Sequence, residues 1–132
     1  MLNWPSHVRV FVCTTATDMR KQFDGLQNLV RPVFGRDIFE GHLFLFFNRR
    51  RDRLKALWWD RDGLAIFAKR LEKNRYELPR VDANQASVEI DATTLSLILN
   101  GVELASVRRR KRYERPARAT AAEREQILSK NA

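Results

Sequence analysis

The chain has 132 residues, enough for one small domain with a modest core and at most one tail, and its 44% apolar content is that of a globular protein. A formal net charge of +9 and a sequence pI near 10.6 point to a polyanionic partner, nucleic acid before an anionic membrane face. A single cysteine and two histidines exclude an internal disulfide and a Cys/His zinc centre, and no apolar run is long enough to span a bilayer.

The start MLNWPSHVRVFV lacks the basic opening and long apolar stretch of a signal peptide, which leads us to expect a cytoplasmic protein. The first element is a strand over 7–13, where Val8, Val10 and Val12 alternate with Arg9, Phe11 and Cys13. A helix should follow, capped by Thr17 or Asp18, with Met19, Phe23, Leu26, Leu29, Val30 and Val33 on one face. Pro32 should end or kink it, and Gly35 should close the segment.

Leu43 to Phe47 is a continuous apolar strand, and the polar loop 48–52 turns the chain back into a strand over 54–59. The next turn, Asp60-Arg61-Asp62-Gly63, has aspartates able to bond the downstream backbone and a glycine suited to positive φ. A strand over 64–71 follows. A third turn over 72–75 places Asn74 where a left-handed residue is needed, and a short strand should begin at Tyr76 and stop at Pro79. Ser87 to Ile90 forms a strand, and Asp91 caps a short helix with Leu95, Ile98 and Leu99 on its apolar stripe, ended by Asn100-Gly101.

From residue 108 the composition changes abruptly. The run RRRKRYERPARA has too few apolar groups to form a core, so it should be disordered when free, with Thr120 and Glu123 able to make a capping box for a short helix beyond it. The resulting expectation is an α+β domain over 1–107, an antiparallel β-meander packed against one longer and one shorter helix, followed by a basic tail over 108–132.

Charge is concentrated in two places. Residues 49–75 carry ten Lys or Arg against four Asp or Glu, and residues 108–132 carry nine against three. Arg49, Arg50, Arg51, Arg53 and Lys55 on the first hairpin, with Lys69, Arg70, Lys73 and Arg75 on the adjoining turn, make a candidate DNA-binding surface, since the planar guanidinium bonds phosphate or guanine in pairs. Arg108, Arg109, Arg110, Lys111 and Arg112 would add salt-dependent affinity. The bland alternatives are arginines paired with nearby acids on a solvated loop, and a tail that serves solubility. Trp58 and Trp59 point to opposite faces of one strand, so at least one belongs to the core while the other could meet a base or a protein partner, together with Arg20 and Lys21.

Enzyme chemistry finds little footing. No glycine-rich phosphate loop occurs, neither His7 nor His42 sits in a hydrolase context, and Cys13 ends an apolar strand as an inert buried thiol would. A metal-dependent nuclease could draw ligands from Asp18, Asp24, Asp60, Asp62 and Glu72, but turn formation and capping already account for Asp60, Asp62 and Asp18. We expect no cofactor, no metal and no membrane partner.

The segments TDMRK with FDGL (17–26), GHLFLF (41–46), NRRRDRLK (48–55), and Trp59-Asp60 through Asp62-Gly63 to KRLE (69–72) occur in an order that resembles the TnpB accessory proteins of the insertion sequence 66 family, over roughly residues 5–105. The resemblance implies a bacterial protein needed for transposition of its element, with DNA or the element's DDE transposase and other element proteins as partners and no established catalytic residue. RNA-guided nucleases that share the name TnpB are much longer and differ in kind. The resemblance also implies glycine in relatives where Asn74 stands here, and it stops short of the tail. A protein-interaction adaptor for the transposase, with little DNA affinity of its own, is the alternative.

Overall fold

The computed structural model describes residues 7–100. Five strands and two helices follow in the order β1 (Val10–Cys13), α1 (Phe23–Leu29), β2 (Leu43–Phe47), β3 (Arg53–Asp60), β4 (Gly63–Arg70), β5 (Ser87–Ile90) and α2 (Ala92–Leu99). They form one sheet in the order β4-β3-β2-β1-β5.

The apolar run of β2 is buried at all five positions. A strand covered on both faces needs a layer above and a layer below, and its alternating side chains divide between them. Leu43, Leu45 and Phe47 join Val10, Val12, Leu54, Ala56, Ile90 and the α2 residues Leu95 and Ile98 in one cluster. Phe44 and Phe46 join Phe11, Cys13, Leu57, Ile38 and the α1-side residues Leu26 and Val30 in the other. Each such large side chain contributes about 1.5–3 kcal/mol when taken out of water. Together these layers fix where the two ends of the sheet lie.

The expected α+β class holds, but the sheet is mixed and is not an antiparallel meander. β1 runs parallel to β2 with Val10 beside Leu43, while β2–β3, β3–β4 and β1–β5 are antiparallel. Parallel neighbours need a long crossover. Residues 14–42 supply it, laying α1 across one face before returning to the start of β2.

Several expected boundaries move for local reasons. Asp18 caps no helix: its carboxylate accepts from the Arg20 backbone N–H (2.9 Å) and from the Arg20 guanidinium (2.7 Å). α1 therefore starts at Phe23 after Gln22, without a side-chain cap, and at seven residues it is no longer than the eight-residue α2. Phe23, expected on the buried stripe, is 46% exposed. Pro32 does not stop the helical path, because a π-helical turn over Val30–Phe34 absorbs it before Gly35 closes the segment at φ 63°. A 3₁₀ turn at Ile38–Glu40, with Asp37 and Glu40 bonded as a capping box, had no expectation attached to it.

In the β3–β4 turn Arg61, at φ 58°, takes the left-handed position expected of Gly63, whereas Asn74 does so as expected at φ 69°. β1 begins at Val10, three residues later than the alternation suggested. Asp91 caps α2 by accepting from the Thr94 N–H at 2.7 Å. Residues 76–78 form no strand. Tyr76 instead drops into the α2-side core, 2% exposed, edge-on to Phe47. The domain boundary at 107, the tail residues Arg108 to Arg112, Gly101 and the Thr120–Glu123 box lie outside the described residues.

Burial pushes the Tyr76 hydroxyl up to about 12, and among the described residues the hydroxyl has no hydrogen-bond partner. Desolvating an unpaired hydroxyl opposes folding by about 1–3 kcal/mol. Tyr76→Phe should therefore leave urea stability unchanged or raise it, and a clear loss would reveal a partner for the hydroxyl.

His42, just before β2, accepts a hydrogen bond at Nδ1 from the Arg9 backbone N–H at 3.0 Å. Burial lowers its pKa below the ordinary 6.5. Below about pH 6.5 the unfolded chain then binds the proton that the folded chain resists, so stability falls as pH drops. Melting between pH 7 and 5 should show a decline that His42→Asn, which keeps an acceptor but cannot titrate, reduces; equal declines would remove His42 as the cause.

Candidate nucleic-acid interface

β2 ends at Phe47 and β3 begins at Arg53, so the loop 48–52 stands at one end of the sheet. Asn48 builds this loop. Its side-chain oxygen accepts from the backbone N–H of Asp52 (3.1 Å) and Arg53 (3.0 Å), and its Nδ2 donates to the Asp52 carboxylate at 2.7 Å. The backbone closes the same loop through Arg51 N to Asn48 O at 3.1 Å, with Arg51 left-handed at φ 58°. The Asn48 bond, followed by the field of Arg50 and Arg53, holds the Asp52 carboxyl below its usual range.

The segment after β4 docks on the same tip. Leu71 N–H donates to Asp52 O at 2.7 Å and Tyr76 N–H donates to Arg51 O at 2.6 Å, which carries Lys73 and Arg75 to the basic end. The sequence-based set is thus brought to one end of the sheet, but it forms a rim and not one flat face. Residues on β3 alternate between layers. Arg53 and Lys55 share the α1 side with Leu57 and Trp59, and Arg70 joins them as the cross-strand partner of Arg53. Lys69 lies on the α2 side and reaches the Leu99 carbonyl at 3.4 Å.

Two open grooves adjoin on the α1 side. One, of about 400 Å³, is lined by Asp18, Met19, Arg20, Asn48, Arg50, Asp52 and Arg53. Its neighbour, of about 390 Å³, shares Met19 and Arg53, adds Lys55, Ala68, Arg70 and Glu72, and is also bounded by Leu54 and Lys69. Arg49 and Arg51 face away from both and line a smaller groove of about 210 Å³ with Thr14, Thr15 and Leu78. Lys55 is anchored, its Nζ donating to Lys21 O at 2.8 Å and to Gln22 Oε1 at 3.3 Å.

The local acids are already engaged. Asp18 pairs with Arg20, and that bond lowers its pKa to about 2. Glu72 accepts from Arg70 at 2.8 Å, and Asp52 lies 3.9 Å from Arg50. Among the described residues Arg49, Arg51, Arg53, Lys73 and Arg75 close no ion pair. The rim therefore keeps an uncompensated positive surplus, which suits a phosphate chain.

Trp58 and Trp59 are both half-buried, Trp58 against the α2-side cluster and Trp59 against the α1-side cluster. Trp59 meets Phe39 edge-on at 4.8 Å, and Phe39 is 61% exposed. Phe39 is thus, besides Phe23, an exposed aromatic that sequence reasoning missed, and its only signal was an apolar residue inside a short polar turn. Arg20 is exposed at the groove wall, and Lys21 offers its carbonyl to Lys55. The carboxylates considered for metal binding are separated: Asp18 and Glu72 flank the grooves, while Asp60 and Asp62 occupy the opposite end of β3 and β4. Among the described residues no group of three or more His, Cys, Asp or Glu could hold a metal ion, and no helix is long and apolar enough to cross a membrane.

Residues 8–109 match the family described as IS66 Orf2 like protein. The uncharacterized protein y4hO of Sinorhizobium fredii (strain NBRC 101917 / NGR234) is 35% identical over 103 residues, covering 78% of this chain and 88% of its own. The uncharacterized protein y4jC of the same strain is 30% identical over 111 residues, covering 84% and 92%. No solved structure matches the chain.

Removing the Asn48 side chain deletes the bonds that shape the loop. Asn48→Ala should cost about 1–3 kcal/mol in urea unfolding and raise hydrogen exchange at the Asp52 and Arg53 amides; unaltered exchange there would mean that the backbone alone holds the tip.

Proposed function

The chain belongs to the IS66 Orf2-like protein family, and on that premise we propose a non-enzymatic accessory protein of insertion-sequence transposition that binds DNA through the basic end of its sheet and cooperates with the element's DDE transposase. The observation that carries this reading is the pair of adjoining grooves sharing Met19 and Arg53, walled by Arg20, Arg50, Lys55 and Arg70. A backbone phosphate entering there meets guanidinium forks from two sides, and Met19 gives an apolar floor for a sugar or base edge. Arg49 and Arg51 extend the positive field to the other side of the tip, and Lys73 and Arg75 lengthen it. Arg108 to Arg112 would add sequence-independent affinity from the tail. The role calls for no cofactor and belongs in the bacterial cytoplasm at the nucleoid.

Phosphate contacts position a protein and base contacts specify a sequence. The rim is built almost wholly from groups of the first kind, so this reading assigns it affinity and orientation on the element's ends, with selectivity shared with the transposase. The adaptor reading draws on Phe39 beside Trp59, an aromatic pair of the sort that anchors protein contacts.

Fluorescence anisotropy with a terminal-repeat duplex, titrated across salt, tests the proposal. Arg50→Glu with Arg53→Glu should weaken binding at least tenfold and make the logarithmic salt dependence shallower by about two. Unchanged affinity and slope would remove the grooves from the interface. Retention of the transposase by a protein with no measurable DNA affinity would favour the adaptor.

A further inference from the structure

The two edges of the sheet are treated differently by the sequence. β5 is four residues long, and Glu89 on it is held by the Arg9 guanidinium at 2.8 and 2.5 Å. Short, charged edges resist pairing with another chain. β4 is eight residues long and uncharged from Gly63 to Ala68, with Leu64, Ala65, Ile66 and Phe67 only half-buried. Among the described residues nothing pairs with its outer side. A long, apolar, unpaired edge is a template for strand addition.

The sequence of this edge is self-complementary. In an antiparallel pair, residues directly opposite share a face and touch. Placing a two-fold axis through Ile66 sets Leu64 of one copy opposite Ala68 of the other and Phe67 opposite Ala65. Each large side chain meets a small one on the same face. Lys69 falls opposite Gly63, which has no side chain to obstruct it, and Arg70 falls opposite Asp62, its opposite charge. Leu64, Ile66 and Ala68 lie on the α1 side, where Leu64 and Ile66 already pack partly against the core, and Phe67 packs against the α2-side core. Continuing the sheet would finish burying groups that the single chain leaves half-covered.

We propose that the chain forms a symmetric homodimer by antiparallel pairing of β4 with β4 of a second copy, in the register that places Ile66 on the two-fold axis and Arg70 opposite Asp62. The interface is isologous, with the same patch on both copies, and it closes after two chains and so limits growth to a dimer. It shares Arg70 with the groove wall of the DNA-binding reading but is tested apart from it, since every readout below is taken without DNA.

Sedimentation velocity of the full chain should give a species at twice the 15.5 kDa chain mass. In a Cys13→Ser background, Ile66→Cys sets two thiols opposite each other on the axis, and mild oxidation should link the copies. Ala65→Cys should cross-link about tenfold less, because its counterpart lies a register step beyond disulfide reach. Asp62→Arg, an exposed turn position, sets like charges opposite each other twice and should raise the dissociation constant about tenfold. A monomer at every soluble concentration, cross-linking that does not favour Ile66 over Ala65, or an unmoved dissociation constant in Asp62→Arg overturns the pairing.

Discussion

Burial of β2 on both faces is the constraint from which the basic end derives its shape. Leu43 to Phe47 cannot leave any side chain in water, so chain on both sides must be spent covering them. α1 and the turns around it cover one face, and α2 with Tyr76 covers the other. The loop that follows Phe47, residues 48–52, carries no apolar side chain, so that end of the sheet is where charge can be placed without burying it. Arg49 to Arg53 are therefore crowded where the core ends, and their hydration is not sacrificed to the fold.

Crowding of this kind opposes folding through repulsion, and Asn48 shows how the loop tolerates it. One neutral amide satisfies two backbone donors and grips the only carboxylate in the loop. Asp52 is then committed to shaping the tip, where its bond to Asn48 and the neighbouring guanidinium fields keep it ionised. Had Asp52 formed a tight pair with Arg50, the tip would have lost part of its surplus; the 3.9 Å separation leaves that contact weak in water. Arg20 and Arg70, by contrast, are held by Asp18 and Glu72. Those pairs orient the groove walls, and the unpaired arginines between them carry the field.

How much of this was visible in the sequence depended on the range of the interaction responsible. The apolar run of β2, the Asp91 cap, the closing Gly35 and the left-handed Asn74 were legible because each is decided within a few residues. The parallel pairing of β1 with β2 was not. It is decided by whether residues 14–42 cross a face or return along an edge, and nothing in Val10 to Cys13 or Leu43 to Phe47 encodes the choice. The start of α1 was missed for a smaller reason: Asp18 had two possible partners, and the Arg20 guanidinium two residues away took it from the helix end. Gly63 was the better residue for positive φ in isolation, yet the register of β3 with β4 pairs Asp60 with Gly63 and leaves Arg61 to make the bend. The basic cluster was legible as composition, but its division into α1-side and α2-side groups required the strand alternation and the docking of Tyr76 beside Arg51.

The uncharged edge of β4 and the charged rim meet at Arg70, and this junction sets what a dimer would present. A two-fold axis perpendicular to the sheet keeps the α1 side of both copies on one side of the assembly. Each Arg70 lies four residues from the axis, so the two basic ends stand roughly 25–30 Å apart along the strand direction, at about 3.4 Å per residue. One turn of duplex DNA is longer, about 34 Å, and the loop 48–52 extends each basic end past the Arg53–Arg70 pair in that direction. Two rims of fixed spacing on a common face would engage one duplex at two points, and the second engagement would be intramolecular. A weak groove on each copy can in this way yield a firm grip without base-specific contacts. The β3–β4 register puts Arg70 and Asp62 at opposite ends of the hairpin, so in such a dimer antiparallel symmetry would bring the acidic turn of one chain to the basic strand end of the other.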